Sequence, residues 1–349
     1  MKLQTSTAVH SPLTRETFIK RRELKENSLS LSVLLYAQML ITAALSLMNV
    51  ASTASYLSLL FSLLPAALVY MLSSFAVKKG KTLTSPAAFL FALLFFSDMA
   101  LNLFSLTEIT GAYVLPKYPR MAICLPAALL TGLALTGKQQ GSARRTSVFL
   151  ILFFLGALAV CLFFAVPESD IGYLFPLLGY GETEILRGGI CMTGSLWIAA
   201  ALPYFTHAPG LRVKTALFPL IAVFVMTGVL LVCACLLPAP LFPGDWGFVL
   251  RLQLLMEMSP NTLTWSLMLI SRMLLFLCAF ASAGDFCCEC LRKARKGRKA
   301  NILLLAALSV PLSLLPFDKL LPFLSLALPL RFLIAFAGAV LPLFKKETP

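Results

Sequence analysis

The sequence predicts an all-α integral membrane protein with about ten transmembrane helices. Hydrophobic residues make up 59% of the 349 residues and charged residues only 13%, whereas soluble domains are about a quarter charged. The mean hydropathy is +0.88. The apolar residues fall into runs of about 20, the length of a helix that crosses a bilayer. Basic residues cluster in alternate segments between these runs, which is typical of cytoplasmic loops.

The apolar runs divide the chain into three parts. Residues 1–28 form a polar N-terminal segment, residues 29–344 a transmembrane domain, and residues 345–349 a tail. We predict spans near residues 29–48, 55–77, 85–107, 119–136, 146–166, 187–205, 215–237, 262–284, 301–316 and 320–344.

The basic clusters also give an orientation. When the N-terminus is placed in the cytoplasm, the clusters within residues 78–81, 138–145, 212–214 and 292–299 all fall on the cytoplasmic side. A missing span would move every later cluster across the membrane, so the pattern supports both the parsing and two cytoplasmic termini. The net charge of +14 therefore reflects membrane orientation, and we expect no nucleic-acid partner.

Residues that usually carry enzymatic chemistry are scarce. The 2 histidines and 9 cysteines show no metal-ligand spacing. A phosphate-binding glycine loop and a nucleophile with an adjacent base are also not recognisable. We expect no metal, no cofactor and no enzymatic activity, and we expect the lipid bilayer and a small-molecule ligand as partners.

Charged residues inside the spans are candidates for function because burying charge in a bilayer is costly. Asp98 and Asn102 are four residues apart in the third span and therefore share one helical face. Two interpretations are open for these residues. In the functional one they line a solute or proton pathway, and in the structural one they pack against other helices through hydrogen bonds. Arg272 in the eighth span lies at a similar depth, and we hypothesise that it forms a buried ion pair with Asp98. Arg331 in the tenth span has a functional and a structural interpretation of equal weight.

Spans one and six hold the other candidates. Glycine in a span permits local unwinding, which offers backbone groups to a substrate, although it also serves close helix packing. The sixth span contains Gly188, Gly189, Gly194 and Ser195. The first span has no glycine and offers Thr42 and Ser46 as polar points.

Short motifs rich in proline and glycine recur near the span ends. They are YLFPLLGYG at 173–181, ILRGG at 185–189, ALPYF at 201–205, VLPKYP at 114–119, GSAR at 141–144 and LPLFKK at 341–346. Together they resemble the spore germination permease family, the B subunits of germinant receptors in endospore-forming bacteria.

The resemblance implies a fold of the amino acid–polyamine–organocation type, as in LeuT-like transporters. This fold has two five-helix inverted repeats and a central site where spans one and six are broken. Spans three and eight would then be scaffold helices that face the site. The chain departs from the family pattern in two places. No acidic residue follows Gly194, and the first span lacks its usual glycine, so a coupling ion or an amino group would be bound differently or not at all.

The function that the resemblance implies is a germinant-receptor permease subunit in the spore inner membrane or the cytoplasmic membrane. It would bind or sense a small germinant such as an amino acid, together with A- and C-type receptor subunits. A solitary proton-coupled amino acid transporter and a structural subunit without ligand binding remain alternatives. The candidate ligand-binding residues are Thr42, Ser46, Asp98, Asn102, Gly188, Gly189, Gly194, Ser195 and Arg272.

Overall fold

The computed structural model describes residues 55–136, 146–150, 152, 153, 156, 182–206, 262–295, 301–314 and 317–344. In this part of the chain every regular element is helical. The elements are α1 (Ser55–Lys78), α2 (Ser85–Tyr113), α3 (Arg120–Ala134), α4 (Glu182–Ser195), α5 (Ile198–Thr206), α6 (Thr262–Ala294), α7 (Ile302–Ser313), α8 (Phe317–Val340) and a closing 3-10 turn (Leu341–Phe344). Residues 146–150, 152, 153 and 156 are also helical.

The all-helical membrane class is confirmed. In the described residues, four helical segments are long and apolar enough to cross a bilayer: Phe61–Lys78, Ser85–Gly111, Leu269–Ala294 and Ala327–Phe344. The predicted first and seventh spans lie outside the described residues. The total of about ten helices and the inverted repeat therefore stay predictions.

Helix α2 is the centre of the bundle. Its start is fixed by Thr84, whose hydroxyl oxygen accepts the backbone N–H of Ala87 at 3.4 Å, and by a proline in the first turn. Helix α6 packs along its length, and α3, α7 and α8 also contact it. Its Phe91, Phe95 and Leu103 side chains are fully buried, so α2 is the scaffold against which the other helices are placed.

Helices α2 and α6 run antiparallel. Cys287 on α6 donates from its Sγ to the Ala92 carbonyl on α2 at 3.3 Å, and Met99 on α2 contacts Gly284, one turn earlier on α6. The start of α2 therefore meets the end of α6. Basic residues collect there. Lys78 ends α1 and is followed by Lys79 and Lys81, while Arg292 and Lys293 lie in the last turn of α6 and Arg295 follows it. We call this the basic end of the bundle.

The turn between α1 and α2 shows why the chain reverses at the basic end. Gly80 has a φ of 72°, a left-handed conformation that glycine adopts without steric cost. The N–H of Gly80 bonds to the Val77 carbonyl and that of Lys81 to the Ala76 carbonyl, both at 3.0 Å. This pattern is a Schellman motif, and it ends α1 directly after its last apolar turn.

Candidate functional site

The predicted break in the sixth span is present. Helices α4 and α5 are separated by Leu196 and Trp197. Around the break, the backbone N–H of Leu196 bonds to Thr193, that of Ala199 to Leu196 and that of Ala200 to Trp197, at 3.2, 3.0 and 2.9 Å. Each bond spans three residues instead of the four of an α-helix, so the backbone is wound more tightly at the break than in the flanking helices.

Gly194 holds the break against α8. A Cβ atom at this position would lie only 1.8 Å from the Leu328 carbonyl oxygen and 2.4 Å from its carbonyl carbon. The two backbones thus touch at a point where only glycine fits. Because Arg331 follows Leu328 by three residues, this contact also fixes one face of α8, with Arg331 on it, beside the break.

Asp98 lies at the middle of α2 and faces the break. Its side chain is 1% exposed. One carboxylate oxygen, Oδ1, accepts a hydrogen bond from Nη2 of Arg331 and forms an ion pair with it. The other oxygen, Oδ2, accepts the indole N–H of Trp197 at 3.2 Å. The carboxylate therefore joins the scaffold helix α2 to both α8 and the break.

The Arg331 guanidinium is 5% exposed and keeps hydrogen-bonding capacity. Its central carbon lies 6.0 Å from the Trp197 ring centroid, within reach of a cation–π attraction. Its Nε and Nη1 groups have no hydrogen-bond partner among the described residues. Asn102, one turn from Asp98, donates from Nδ2 to the Asp98 carbonyl at 2.8 Å, while its Oδ1 likewise has no partner within the described part of the chain. Within the described part of the chain, the site therefore has two donor nitrogens and one acceptor oxygen without partners.

Aromatic rings fill the space between this site and the basic end. Trp197 packs edge-on against Phe95, with centroids 4.7 Å apart. Phe286 lies 5.2 Å from Phe95 and 5.2 Å from Phe205, between centroids. The Lys293 ammonium lies 4.9 Å from the Phe205 ring centroid. Among the described residues, these contacts form a continuous apolar layer between the site and the basic end.

The structure brings several predicted candidates to this place. Asp98 and Asn102 share one face of α2, and Gly194 and the buried Ser195 end α4 at the break. Gly189 lies one turn before Thr193, and its carbonyl accepts the Thr193 hydroxyl at 2.8 Å. Gly188 is a backbone position of α4.

Other candidates are not placed. Thr42 and Ser46 lie outside the described residues, and so does the side chain of Arg272, whose backbone belongs to α6. The pairing of Asp98 with Arg272 stays a prediction, since the guanidinium that the structure describes on Asp98 is that of Arg331. Among the described residues no cluster of His, Cys, Asp and Glu could hold a metal ion.

Two residues of the site were absent from the predicted set. The sequence predicts Arg331 as a charge inside a span but does not identify Asp98 as its partner. Trp197 is not among the candidates predicted from the sequence. A usable signal existed for both, because a guanidinium in an apolar span requires an anion and a buried indole N–H requires an acceptor. Asp98 supplies both the anion for Arg331 and the acceptor for Trp197.

Comparison with known proteins agrees with this architecture. A family model described as spore germination protein, a spore permease, matches residues 38–237. The matched segment contains Asp98 and the whole of the break, and it ends before Arg331. No curated protein matches the chain. Because the family match covers more than half of the sequence, the chain belongs to the spore germination permease family.

Proposed function

We propose that this protein is the permease-type subunit of a spore germinant receptor and that it binds a small germinant at the break in the sixth span. The observation that carries the proposal is the buried Asp98–Arg331 pair at that break, in a chain of the spore germination permease family. A charged pair at this depth is costly in a purely structural helix bundle, which favours a binding role.

The open groups at the site support an amino-acid-like ligand. Among the described residues, the Nε and Nη1 donor nitrogens of Arg331 and the carbonyl oxygen of Asn102 have no partner. A compound that carries a carboxylate and an amino group has the acceptor and the donor that would satisfy both. The net charge of the Asp98–Arg331 pair is zero, so a zwitterion brings no net charge into the buried site.

The proposed setting is the spore inner membrane, with both termini in the cytoplasm and with A- and C-type subunits as partners. The basic end would then face the cytoplasm, as the positive-inside rule requires. The aromatic layer of Phe95, Phe205 and Phe286 would separate the ligand from the spore core. A germinant that arrives from outside would reach the site from the side away from the aromatic layer.

Complementation of spores that lack the gene tests the proposal. Spores carrying the wild type, Asp98→Asn or the exposed control Tyr118→Phe are exposed to a panel of L-amino acids, and the loss of optical density is followed. We expect the wild type and Tyr118→Phe to restore the response to the same amino acid, while Asp98→Asn needs a concentration at least about tenfold higher, which corresponds to about 1.4 kcal/mol. Equal responses of all three would contradict binding at this site.

Affinity purification of the tagged protein from spore membranes tests the assembly. Recovery of A- and C-type subunits in comparable amounts supports a receptor subunit. Recovery of the protein alone, together with uptake of labelled amino acids by vesicles, would instead establish the solitary transporter. If the receptor assembles and its germination response is the same for every variant at the site, the protein is a structural subunit.

A further inference from the structure

Asp98 is a buried carboxylate that needs a positive partner. At 1% exposure in the middle of a membrane helix it has lost its water, and an unpaired charge there is strongly unfavourable. In a membrane permease four kinds of partner can neutralise such a group: a proton, an alkali cation, the ammonium group of a ligand, or a cation of the protein itself. The structure distinguishes among them.

Both oxygens of the carboxylate are occupied by the chain. Arg331 binds Oδ1 and the Trp197 indole binds Oδ2. A guanidinium stays protonated under all ordinary conditions, so its charge is permanent. Each carboxylate oxygen can accept more than one contact, but a soluble cation or a ligand ammonium group at Asp98 would lie beside the permanent positive charge of Arg331, which repels it.

We propose that Arg331 is a built-in cation that takes the place of a coupling ion at Asp98, so that ligand binding at the break requires no sodium ion and no ligand ammonium group on this carboxylate. This inference rests on the proposed function, which supplies the ligand that binds at the break. It concerns a residue beyond the part of the chain that the family model matches.

The packing around Arg331 fits this role. The Gly194–Leu328 contact fixes α8 one turn from Arg331, and the face of Trp197 lies beside the guanidinium. The cation is therefore held in place by a backbone contact and by an aromatic ring. The Nε and Nη1 groups, which have no partner among the described residues, would then donate to the carboxylate of the ligand, whose ammonium group needs no contact with Asp98.

Thermal unfolding of the purified full chain in detergent tests the proposal without any germinant. Wild type, Arg331→Ala and the double variant Asp98→Asn/Arg331→Ala are compared in 150 mM choline chloride, in 150 mM NaCl, and in choline chloride with 5 mM methylguanidinium. A bound ion at about ten times its Kd would raise the Tm by roughly 3 °C. We expect less than ~1 °C between sodium and choline for the wild type.

The variants supply the matched comparison. Arg331→Ala leaves Asp98 without its cation, so sodium or methylguanidinium should raise its Tm by ~3 °C or more. The double variant has no carboxylate to neutralise and should not respond. A sodium response of the wild type, or equal responses of the single and double variants, would overturn the proposal.

If Arg331→Ala does not fold, wild type and Asp98→Asn decide the question. The absence of a sodium response in both supports the built-in cation, and a wild-type response that Asp98→Asn abolishes refutes it. The outcome is separable from the proposed function, because a protein can be indifferent to sodium in detergent whether or not spores that carry it respond to amino acids.

Discussion

The indole N–H of Trp197 donates to Oδ2 of Asp98 at 3.2 Å, and this bond joins the break in the sixth span to the central scaffold helix. The two residues are 99 positions apart in the sequence. Trp197 belongs to the two-residue interruption between α4 and α5, where the backbone is not in α-helical geometry. Any movement of the break that ligand binding causes would therefore act directly on Asp98 and on its ion pair with Arg331.

Removing this bond tests its contribution. Trp197→Phe keeps an aromatic ring but deletes the donor, so Oδ2 of a fully buried carboxylate loses a partner. We expect a loss of about 1–3 kcal/mol in stability, because the bond is to a charged acceptor. It is measured as a lower Tm of the detergent-solubilised protein.

Lost ring volume also lowers stability, so the same substitution is repeated in an Asp98→Ala background. There the hydrogen bond is already absent, and Trp197→Phe should lower the Tm less than in the wild type. An equal decrease in both backgrounds would mean that packing of the indole, and not its N–H, carries the effect.

The contact between Gly194 and Leu328 gives a second prediction. Gly194→Ala places a methyl group 1.8 Å from a backbone oxygen, a contact that no rotamer change relieves. We expect α8 to be pushed away from α4, with a loss of ~3 kcal/mol or more, which is beyond usual overpacking because backbone atoms must move. Arg331 moves with α8, so the germination response should fall as well.

Gly156→Ala is the matched control for this change. Its added methyl group meets nothing within 4 Å among the described residues, and the position is exposed. It should leave the yield and the Tm of the protein close to those of the wild type. Similar losses for the two variants would show that glycine is needed at these positions for a reason other than the α4–α8 contact.

Much of this architecture can be predicted from the sequence, but the pairing of Asp98 with Arg331 cannot. The spans near 55–77, 85–107, 119–136 and 301–316 correspond closely to α1, α2, α3 and α7, because apolar runs bounded by Gly80, Pro119 and Asn301 carry their end signals locally. Asp98 and the glycines before the break could be singled out since charge and glycine are conspicuous in apolar helices.

The partner of Asp98 could not be read in the same way. Arg272 and Arg331 are both arginines inside predicted spans, and depth along a span does not tell which helix lies beside α2 at that level. The deciding feature is the approach of α8 to α4 at Gly194, which depends on two segments more than 130 residues apart. The same holds for Trp197, because a buried indole N–H requires an acceptor, but the sequence does not show whether the indole is buried or which acceptor lies beside it.

The aromatic layer below the site gives a third prediction. Phe286 is 1% exposed, stacks on Phe95 and packs edge-on against Phe205. Phe286→Ala should cost about 3–5 kcal/mol through the cavity it leaves, whereas Phe286→Leu should cost clearly less because it fills most of the space. The Tm of both variants is compared with that of Phe336→Leu, a partly exposed phenylalanine at 37% exposure. Equal Tm values for Phe286→Ala and Phe336→Leu would show that the layer is not tightly packed.

An ion pair between α2 and α3, at the end of the bundle opposite the basic end, gives the last prediction. Nη2 of Arg120 lies 2.6 Å from Oε1 of Glu108, and the two side chains differ in exposure, 42% for the arginine and 9% for the glutamate. The two halves of the pair should therefore not be equivalent. Removing the arginine leaves a nearly buried carboxylate without a cation, whereas neutralising the glutamate leaves a guanidinium that water can reach.

We expect Arg120→Met to lower stability by about 2–3 kcal/mol and Glu108→Gln by about 1 kcal/mol or less. The double variant Glu108→Gln/Arg120→Met should resemble Glu108→Gln, because it contains no unpaired carboxylate. Melting curves of the three variants, recorded in the same detergent and buffer, measure their order of stability. A double variant as unstable as Arg120→Met would contradict the argument, since the lost packing of the arginine side chain would then account for the whole effect.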